Sequence, residues 1–272
     1  MKFSFLLLFF FHFLVSSAQD HYKIYAVKFA ERTKKIPLSA RAIGDKSGDS
    51  TGVYYMLWVL KGKDKTILVD AGFSDPTGYE DMKFTRPDSV LQKLNIKPED
   101  ITDIIITHPH WDHVDGIDLF PNAMVWMQQA DHDEFVKFLN EKGDVNFGFL
   151  KKDADKLSKK KTEHKITLVK GDDIEIMPGI KVFTGAKHTF ESQYVLVGDG
   201  NDKTIIASDN CWSYYNLTSL LPSLSMDPQA YVNNLKRMKT MVKDEKYIIP
   251  GHDPIVFKKF PLVNEYIVLI RD

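Results

Sequence analysis

The apolar residues of this chain fall into many short runs, most of them rich in valine, isoleucine and aromatic residues and separated by polar stretches. Short β-branched runs with polar or glycine-containing flanks are typical of buried strands. On this pattern the predicted strands are 53–60, 65–70, 103–107, 123–128, 166–169, 173–177, 181–185, 194–199, 203–208 and 247–250. The order of these runs therefore predicts a chain dominated by sheets.

Segments between the strands have the wider apolar spacing of amphipathic helices. These segments are 87–96, 131–142 and 227–246, and we expect a further helix after the last strand. The lysine-rich segment 150–165 predicts a solvated helix or a loop. No linker interrupts the series, so we expect an α/β (α+β) domain in which two sheets pack face to face with helices outside.

The N-terminus has the composition of a secretory signal peptide. Lys2 supplies a positive charge, residues 3–15 form an apolar run, and small residues end it at Ala18. The run is shorter than the roughly 20 residues that span a bilayer. We therefore expect a signal peptide over 1–18, a periplasmic or secreted protein without a stable membrane anchor, and a single domain over 19–272.

Charge and cysteine content narrow the possible partners. The formal net charge is −1, whereas nucleic-acid-binding proteins usually carry a basic excess. We accordingly expect no nucleic acid partner. Cys211 is the only cysteine, so an internal disulfide is impossible, and a buried thiol is its expected state. The oligomeric state stays open.

The strongest chemical signal is the segment THPHWDHVDG, residues 107–116. It places His108, His110, Asp112 and His113 within six positions, directly after a predicted buried strand. A solvated polar loop would also be consistent with such a cluster. Four potential metal ligands at a strand end favour half of a metal site instead, because divalent metals such as zinc bind imidazole nitrogens and carboxylate oxygens.

Further metal-capable residues follow other predicted strands. They are Asp70, His188, Asp209 and His252. The other histidines, His12, His21, His132 and His164, are expected to be structural or surface residues. The strand-end set is large enough for two divalent ions with open positions. Two such ions about 3.5–4 Å apart can hold a nucleophile and stabilise a leaving oxygen together.

These residues and their order resemble the metallo-β-lactamase superfamily, whose H-x-H-x-D-H signature matches HPHWDH at residues 108–113. The resemblance implies a four-layered αββα sandwich. It also implies that His108, His110 and His188 hold one metal and that Asp112, His113 and His252 hold the other. Asp209 would bridge the two metals, and Asp70 would orient ligands from behind.

Within the superfamily, nearly the whole mature chain resembles the N-acyl homoserine lactonase branch, notably at 54–73, 171–189 and 235–253. Lys187 replaces that branch's usual glycine, and the residues after His188 lack its Pro-Gly turn. Trp212 stands where the branch often has a tyrosine that bonds the substrate carbonyl. Trp212, Tyr214 or Tyr215 could supply the missing donor, or all three could pack as wall or core.

The resemblance implies a metal-dependent hydrolase with two divalent ions, expected to be Zn²⁺, that opens lactone rings, with N-acyl homoserine lactones as the expected small-molecule substrate. Asp112 would be both a ligand and a possible proton acceptor. Trp111, Trp126 and Met127 could line an acyl channel or belong to the core. The alternatives are a β-lactam, other ester or phosphodiester hydrolase with the same metals, and an inactive binding protein on this fold.

Overall fold

The structure is a computed structural model that describes residues 21–76, 81–143, 148–185 and 187–272. The predicted signal peptide, residues 1–18 with His12, lies outside these ranges. The helices are α1 (Pro87–Leu91), α2 (Trp111–Val114), α3 (Gln129–Lys142), α4 (Lys151–Thr162), α5 (Tyr214–Ser219), α6 (Pro228–Met241) and α7 (Val256–Lys259). None of the described helices is long and apolar enough to cross a membrane.

The strands alternate with these helices along the whole described chain. They are β1 (Lys23–Arg32), β2 (Ile36–Pro37), β3 (Ser50–Thr51), β4 (Tyr54–Lys61), β5 (Thr66–Val69), β6 (Met82–Phe84), β7 (Asp103–Ile105), β8 (Met124–Gln128), β9 (Ile166–Val169), β10 (Ile174–Met177), β11 (Ile180–Thr184), β12 (Gln193–Val197), β13 (Thr204–Ser208), β14 (Ile248–Pro250), β15 (Leu262–Asn264) and β16 (Ile267–Arg271).

Two large sheets organise the described part of the chain. The first has nine strands in the order β15-β16-β1-β4-β5-β7-β8-β9, with β6 beside β1, and the second has five in the order β10-β11-β12-β13-β14. Strands β5, β7, β8 and β9 run parallel, and so do β13 and β14. Within each of these two parallel sets, the carboxyl ends therefore lie at the same edge of the sheet, where side chains can assemble a site.

Strand β4 shows why the sheets form inner layers. Met56, Trp58 and Leu60 pack in one apolar cluster with residues of the second sheet, such as Ile206. The alternate residues Leu57 and Val59 pack on the opposite face, in a cluster that includes Phe135 and Leu139 of α3. Because side chains alternate across a strand, a strand buried on both faces needs a partner layer on each side.

Helices complete the outer layers. Leu157 of α4 and Val90 of α1 join the cluster outside the first sheet, whereas Tyr231 and Leu235 of α6 pack with the second sheet. The architecture is the expected α/β sandwich with four layers, αββα. The predicted strands from 53–60 to 247–250 are confirmed within a few residues, and the lysine-rich segment contains helix α4.

The ends of the chain differ from the sequence prediction. Strand β1, which was not predicted, pairs with β16 and β4 in the first sheet. Its alternation is interrupted by a register shift between Lys28 and Ala30, which blurs the apolar pattern. The helix expected after the last predicted strand is only the four-residue α7, and β15 and β16 follow it.

Candidate metal centre

The site lies where strands of both sheets end. Asp70 directly follows β5, and Asp209 directly follows β13. His108 is the third residue after β7, and His252 is the second residue after β14. Asp70 has a φ of 62° and Ser208 a φ of 48°, a left-handed conformation that non-glycine residues rarely adopt. Such strained backbone tends to cluster at functional sites.

One group of ligand atoms is formed by His108, His110, His188 and Asp209, whose nitrogen and oxygen atoms all lie within 4.8 Å of one another. His110 Nδ1 is 3.0 Å from His188 Nε2, and that nitrogen is 3.3 Å from Asp209 Oδ2. Three imidazoles and a carboxylate converging in this way make a donor set that suits zinc and similar divalent ions.

A second group is formed by Asp112, His113 and His252, again with ligand atoms within 4.8 Å. Asp209 Oδ1 is 2.9 Å from His252 Nε2 and 3.6 Å from His113 Nε2. The two oxygens of Asp209 therefore face different groups, Oδ2 the first and Oδ1 the second. This is the arrangement that a carboxylate needs in order to bridge two ions.

Each of four imidazoles is fixed at the nitrogen that faces away from the centre. His108 Nδ1 is 2.9 Å from Thr107 Oγ1, and His113 Nδ1 is 2.8 Å from Asp70 Oδ2. His188 Nδ1 and His252 Nδ1 are 2.7 Å and 2.8 Å from the backbone carbonyls of Leu224 and Tyr54. Such partners set the tautomer and aim the other nitrogen at the metal position.

Asp70 connects several of these positions from a fully buried place behind the ligands. Its Oδ1 accepts the backbone N–H of Thr107 at 2.8 Å, and its Oδ2 accepts the hydroxyls of Thr107 and Ser208 at 2.9 Å each. The same Oδ2 receives His113 Nδ1. One carboxylate thus links the ends of β7 and β13, which carry ligands of both groups.

Several atoms of the centre test whether a metal fits. His108 Nε2 and His113 Nε2 are buried, and neither has a hydrogen-bond partner among the described residues. Buried polar atoms are almost always partnered. Orphaned donors of the zinc-binding type that converge on one space are therefore well explained by divalent ions.

The electrostatics of the first ligand group and of Asp112 agree with this fit. Burial, and then the neighbouring imidazoles, lower the pKa of His108 well below its usual value, and burial lowers the pKa of His110 to about 3. Although burial raises the pKa of Asp112, His113 and then His252 lower it to about 2. Neutral imidazoles and ionised carboxylates are the states that metal binding requires.

In the second group burial lowers the pKa of His113 and His252, but Asp112 and Asp70 raise that of His113 and Asp209 raises that of His252. A metal there would therefore displace protons.

Comparison with known proteins identifies this arrangement. The family model described as "Metallo-beta-lactamase superfamily" matches residues 50–252. The chain belongs to the metallo-β-lactamase superfamily. An N-acyl homoserine lactonase of Bacillus cereus is 25% identical over 228 residues, which cover 77% of this chain and 85% of that protein.

Solved structures share the superfamily fold at low identity. A quorum-quenching N-acyl homoserine lactone lactonase superposes with a TM-score of 0.70 at 22% identity, covering 90% of this chain and 97% of that one. AidC, a dizinc quorum-quenching lactonase, superposes with a TM-score of 0.67 at 16% identity, covering 93% of this chain and 98% of its own. The four-layered sandwich is therefore shared with both structures.

Two backbone positions near the centre, Gly185 and Gly251, have no room for a Cβ. A Cβ at Gly251 would lie 2.3 Å from Asp209 Oδ1, and a Cβ at Gly185 would lie 1.9 Å from the Asn210 side-chain oxygen. Asn210 in turn accepts from Ser192 Oγ at 2.8 Å. The glycine before His252 is thus required by the packing of the Asp209 carboxylate.

The residue before His188 is Lys187, where the lactonase branch usually has a glycine. Lys187 has a φ of 52°, so the left-handed conformation that glycine favours is present with lysine instead. The buried carboxylate of Asp131 accepts Thr189 Oγ1 at 2.8 Å and the backbone N–H of Glu191 at 3.1 Å. Asp131 was not predicted as a site residue, because a polar residue near a helix start gives no sign in the sequence that it is buried.

A cavity of about 770 Å³ opens over the metal centre. Its lining includes centre residues and a wall of aromatic, aliphatic, arginine and serine side chains: Arg32, Ile36, Arg41, Val53, Tyr55, Asp81, His110, Trp111, Asp112, Gly148, Phe149, His188, Asp209, Trp212, Ser223, Leu224, Ser225, Met226 and His252. Leu224 and Met226 are more than half exposed at its edge. The cavity thus presents both apolar and charged surface to a substrate.

Trp212, Tyr214 and Tyr215, the three candidate hydrogen-bond donors to substrate, differ in where their polar groups lie. The ring of Trp212 lines the cavity and stacks on His252, with centroids 5.4 Å apart and an interplanar angle of 27°. Tyr214 donates its hydroxyl to the Lys246 carbonyl at 2.7 Å, and Tyr215 donates its hydroxyl to Asp45 at 2.7 Å. The structure therefore directs both tyrosine hydroxyls away from the cavity and leaves Trp212 as the candidate.

The three residues considered for an acyl channel also differ in whether they line the cavity. Trp111 lines the cavity, whereas Trp126 donates its indole N–H to Asp103 at 2.9 Å and Met127 belongs to the core between the first sheet and its helices. Cys211 is buried, as expected. His21 and His164 are exposed, and His132 is buried beside Asp133, so these histidines have structural or surface positions.

Proposed function

We propose that this protein is a dinuclear metal hydrolase that opens lactone rings, with N-acyl homoserine lactones as the first class to test. The placement of Asp209, with one oxygen toward each ligand group, carries the proposal. The ions would be held by His108, His110, His188, Asp112, His113 and His252, with Asp209 between them. Zn²⁺ is the proposed metal, supported by the donor set and by a dizinc relative of the same fold.

The ions would supply Lewis-acid polarisation of the scissile carbonyl and a nucleophile from water at neutral pH. The chain's own residues would do the rest. Asp112 borders the cavity, so its carboxylate is the proposed proton acceptor during ring opening. Trp212 can donate its indole N–H to substrate, and Phe149, Leu224 and Met226 offer apolar surface to an acyl chain.

Other hydrolases of the superfamily are the main alternatives. An exodeoxyribonuclease of Streptococcus pneumoniae is 37% identical, but over only 89 residues, 29% of this chain and 28% of that protein. The lactonase match extends over 77% of the chain, and the net charge of −1 gives no support for a nucleic acid substrate. We therefore favour lactones over phosphodiesters and β-lactams.

A panel assay tests this choice. The zinc-loaded protein is assayed with a short-chain and a long-chain N-acyl homoserine lactone, a penicillin, a thioester and a phosphodiester. We expect the highest kcat/KM on a lactone. A higher kcat/KM on any of the others would overturn the lactonase assignment and leave the metal centre intact, whereas failure on every substrate would favour an inactive binding protein.

The Trp212→Phe variant tests the proposed donor. Phenylalanine keeps an aromatic ring against His252 and removes the N–H, so we expect kcat/KM on the best lactone to fall by on the order of 10²-fold, as for other transition-state donors. Metal content should stay unchanged. A fall of less than about threefold, on the same scale, would show that Trp212 is only part of the wall.

Export is a separate proposal and rests on residues 1–18. N-terminal sequencing of the exported protein should find a new terminus at or near Gln19. Protein that retains Met1 in a membrane fraction would contradict it.

A further inference from the structure

We propose that Arg41 and Ser223 form a subsite that binds a carboxylate of the substrate, in the cavity but separate from the metal centre. The inference rests on the proposed lactonase function and narrows its substrate class. The preferred lactone would carry an acidic group remote from the bond that is broken, in addition to the ring that meets the metals.

The two arginines that line the cavity, Arg32 and Arg41, differ in their partners. Arg32 is neutralised, because its Nε and Nη2 donate to Asp81 Oδ2 at 3.0 Å and 2.5 Å. Within the described ranges, Arg41 donates only to the neighbouring Ala40 carbonyl, at 2.9 Å, and forms no ion pair. A guanidinium has five N–H donors, so most of those of Arg41 are available to a ligand.

The second observation is independent of Arg41. Ser223 Oγ is buried and has no hydrogen-bond partner among the described residues, although Ser223 lines the same cavity. Ser223 is only 1% exposed, so its hydroxyl would meet a ligand in the cavity after a rotation of the side chain. An unpartnered buried hydroxyl in a cavity wall is explained by a ligand that supplies the missing partner.

The two segments are tied to each other before any ligand arrives. The fully buried Asn216 donates its side-chain N–H groups to the carbonyls of Arg41 and Leu221 at 2.8 Å and 3.0 Å. The backbone N–H of Ile43 donates to Pro222 at 2.8 Å. The backbone positions of Arg41 and Ser223 are therefore fixed by the same network, as a preformed subsite requires.

The position of Arg41 decides which part of a substrate it can meet. Its Cζ lies 5.8 Å from the centroid of the Trp212 ring, whose other neighbour is the His252 ring at 5.4 Å. The guanidinium thus lies beside the Trp212 ring, and none of the metal-ligand residues is its hydrogen-bond partner in the described part of the chain. The scissile carbonyl belongs at the metals, so Arg41 would bind a second group, and its planar fork matches a carboxylate in two-point contact.

Two matched lactones test the proposal. N-glutaryl homoserine lactone carries a terminal carboxylate, and its methyl ester is the neutral counterpart of nearly the same shape. For the wild-type protein we expect kcat/KM to be about tenfold or more higher on the acid, since hydrogen bonds to charged groups have effects of this order. The Arg41→Gln variant should lose this preference, mainly through KM, and Arg41→Lys should recover part of it.

The controls separate this subsite from general electrostatics and from failure of the proposed function. Arg237→Gln removes a surface guanidinium paired with Asp172 and should leave the preference intact. Ser223→Ala should reduce the preference without changing the metal content. An equal kcat/KM on both lactones, or a preference unchanged in Arg41→Gln, would overturn the subsite.

If the wild-type protein opens neither lactone, the lactonase function fails and the subsite is tested by binding instead. Calorimetric titration of the zinc-loaded protein with N-glutaryl homoserine lactone and with its methyl ester should then show tighter binding of the acid. Arg41→Gln should abolish the difference. Equal affinities for the wild-type protein, or a difference unchanged in the variant, would reject the proposal independently of catalysis.

Discussion

The Asp209→Ala variant should lose at least about 10²-fold in kcat/KM on every substrate that the wild-type protein hydrolyses, no less than one oriented donor is worth in other enzymes. Asp209 places one carboxylate oxygen toward each ligand group, at 3.3 Å from His188 and 2.9 Å from His252. Alanine removes the only side chain shared by both groups in the described structure, so the spacing between the ions would no longer be set.

The matched control is Asp202→Ala. Asp202 is an exposed carboxylate paired with Arg271, outside the cavity, and its loss should change kcat/KM by less than about twofold, as is usual at surface positions. Steady-state rates of both variants at saturating zinc give the comparison. If Asp209→Ala retained the wild-type rate, Asp209 would not be the bridge.

The second large effect is expected for Asp70→Asn, a change that preserves size and tolerates the positive φ of this position. The carboxylate accepts from Thr107, Ser208 and His113, whereas an amide offers one accepting oxygen and an NH₂ group with two donors. His113 would lose its charged partner at Nδ1. Loss of such orienting groups typically lowers metal affinity 10- to 100-fold, and we expect this range here.

Competition with a chromogenic chelator measures this affinity, and circular dichroism shows whether the variant is folded. Asp103→Asn is the control, since Asp103 is also buried and accepts from Trp126 and Thr102 but has no link to the ligands. Equal zinc affinity in Asp70→Asn and the wild-type protein would mean that Asp70 has only a structural role.

The sequence was sufficient for the metal centre because its residues follow buried strands, and the β-branched runs of those strands are easy to recognise. His188 and His252 could thus be associated with residues 108–113 despite their distance along the chain. The order of strands and helices then predicted the layers, because each apolar face has to be covered by another element.

Other features depend on tertiary placement that no local pattern encodes. Strand β1 was missed because its register shift breaks the alternation of apolar residues. Tyr214 and Tyr215 lie close to Trp212 in sequence, yet helix α5 directs their hydroxyls to Lys246 and Asp45.

The residues of the cavity wall also depend on tertiary placement that the sequence pattern does not reveal. Arg41 and Ser223 carry no recognisable motif in the sequence, and the hydrogen bonds of Asn216 and Ile43 bring their segments together. Trp126 and Met127 were candidates for the channel by composition, but strand β8 places both outside the cavity lining.

Native mass spectrometry of the zinc-saturated protein tests the central claim most directly, because it counts the ions bound by each chain. The ligand groups around Asp209 predict about two zinc ions per wild-type chain, as in two-metal hydrolases. The Asp209→Ala chain should hold fewer under the same conditions. A wild-type chain that binds one ion or none at saturation, or an Asp209→Ala chain that keeps both, would contradict the dinuclear centre.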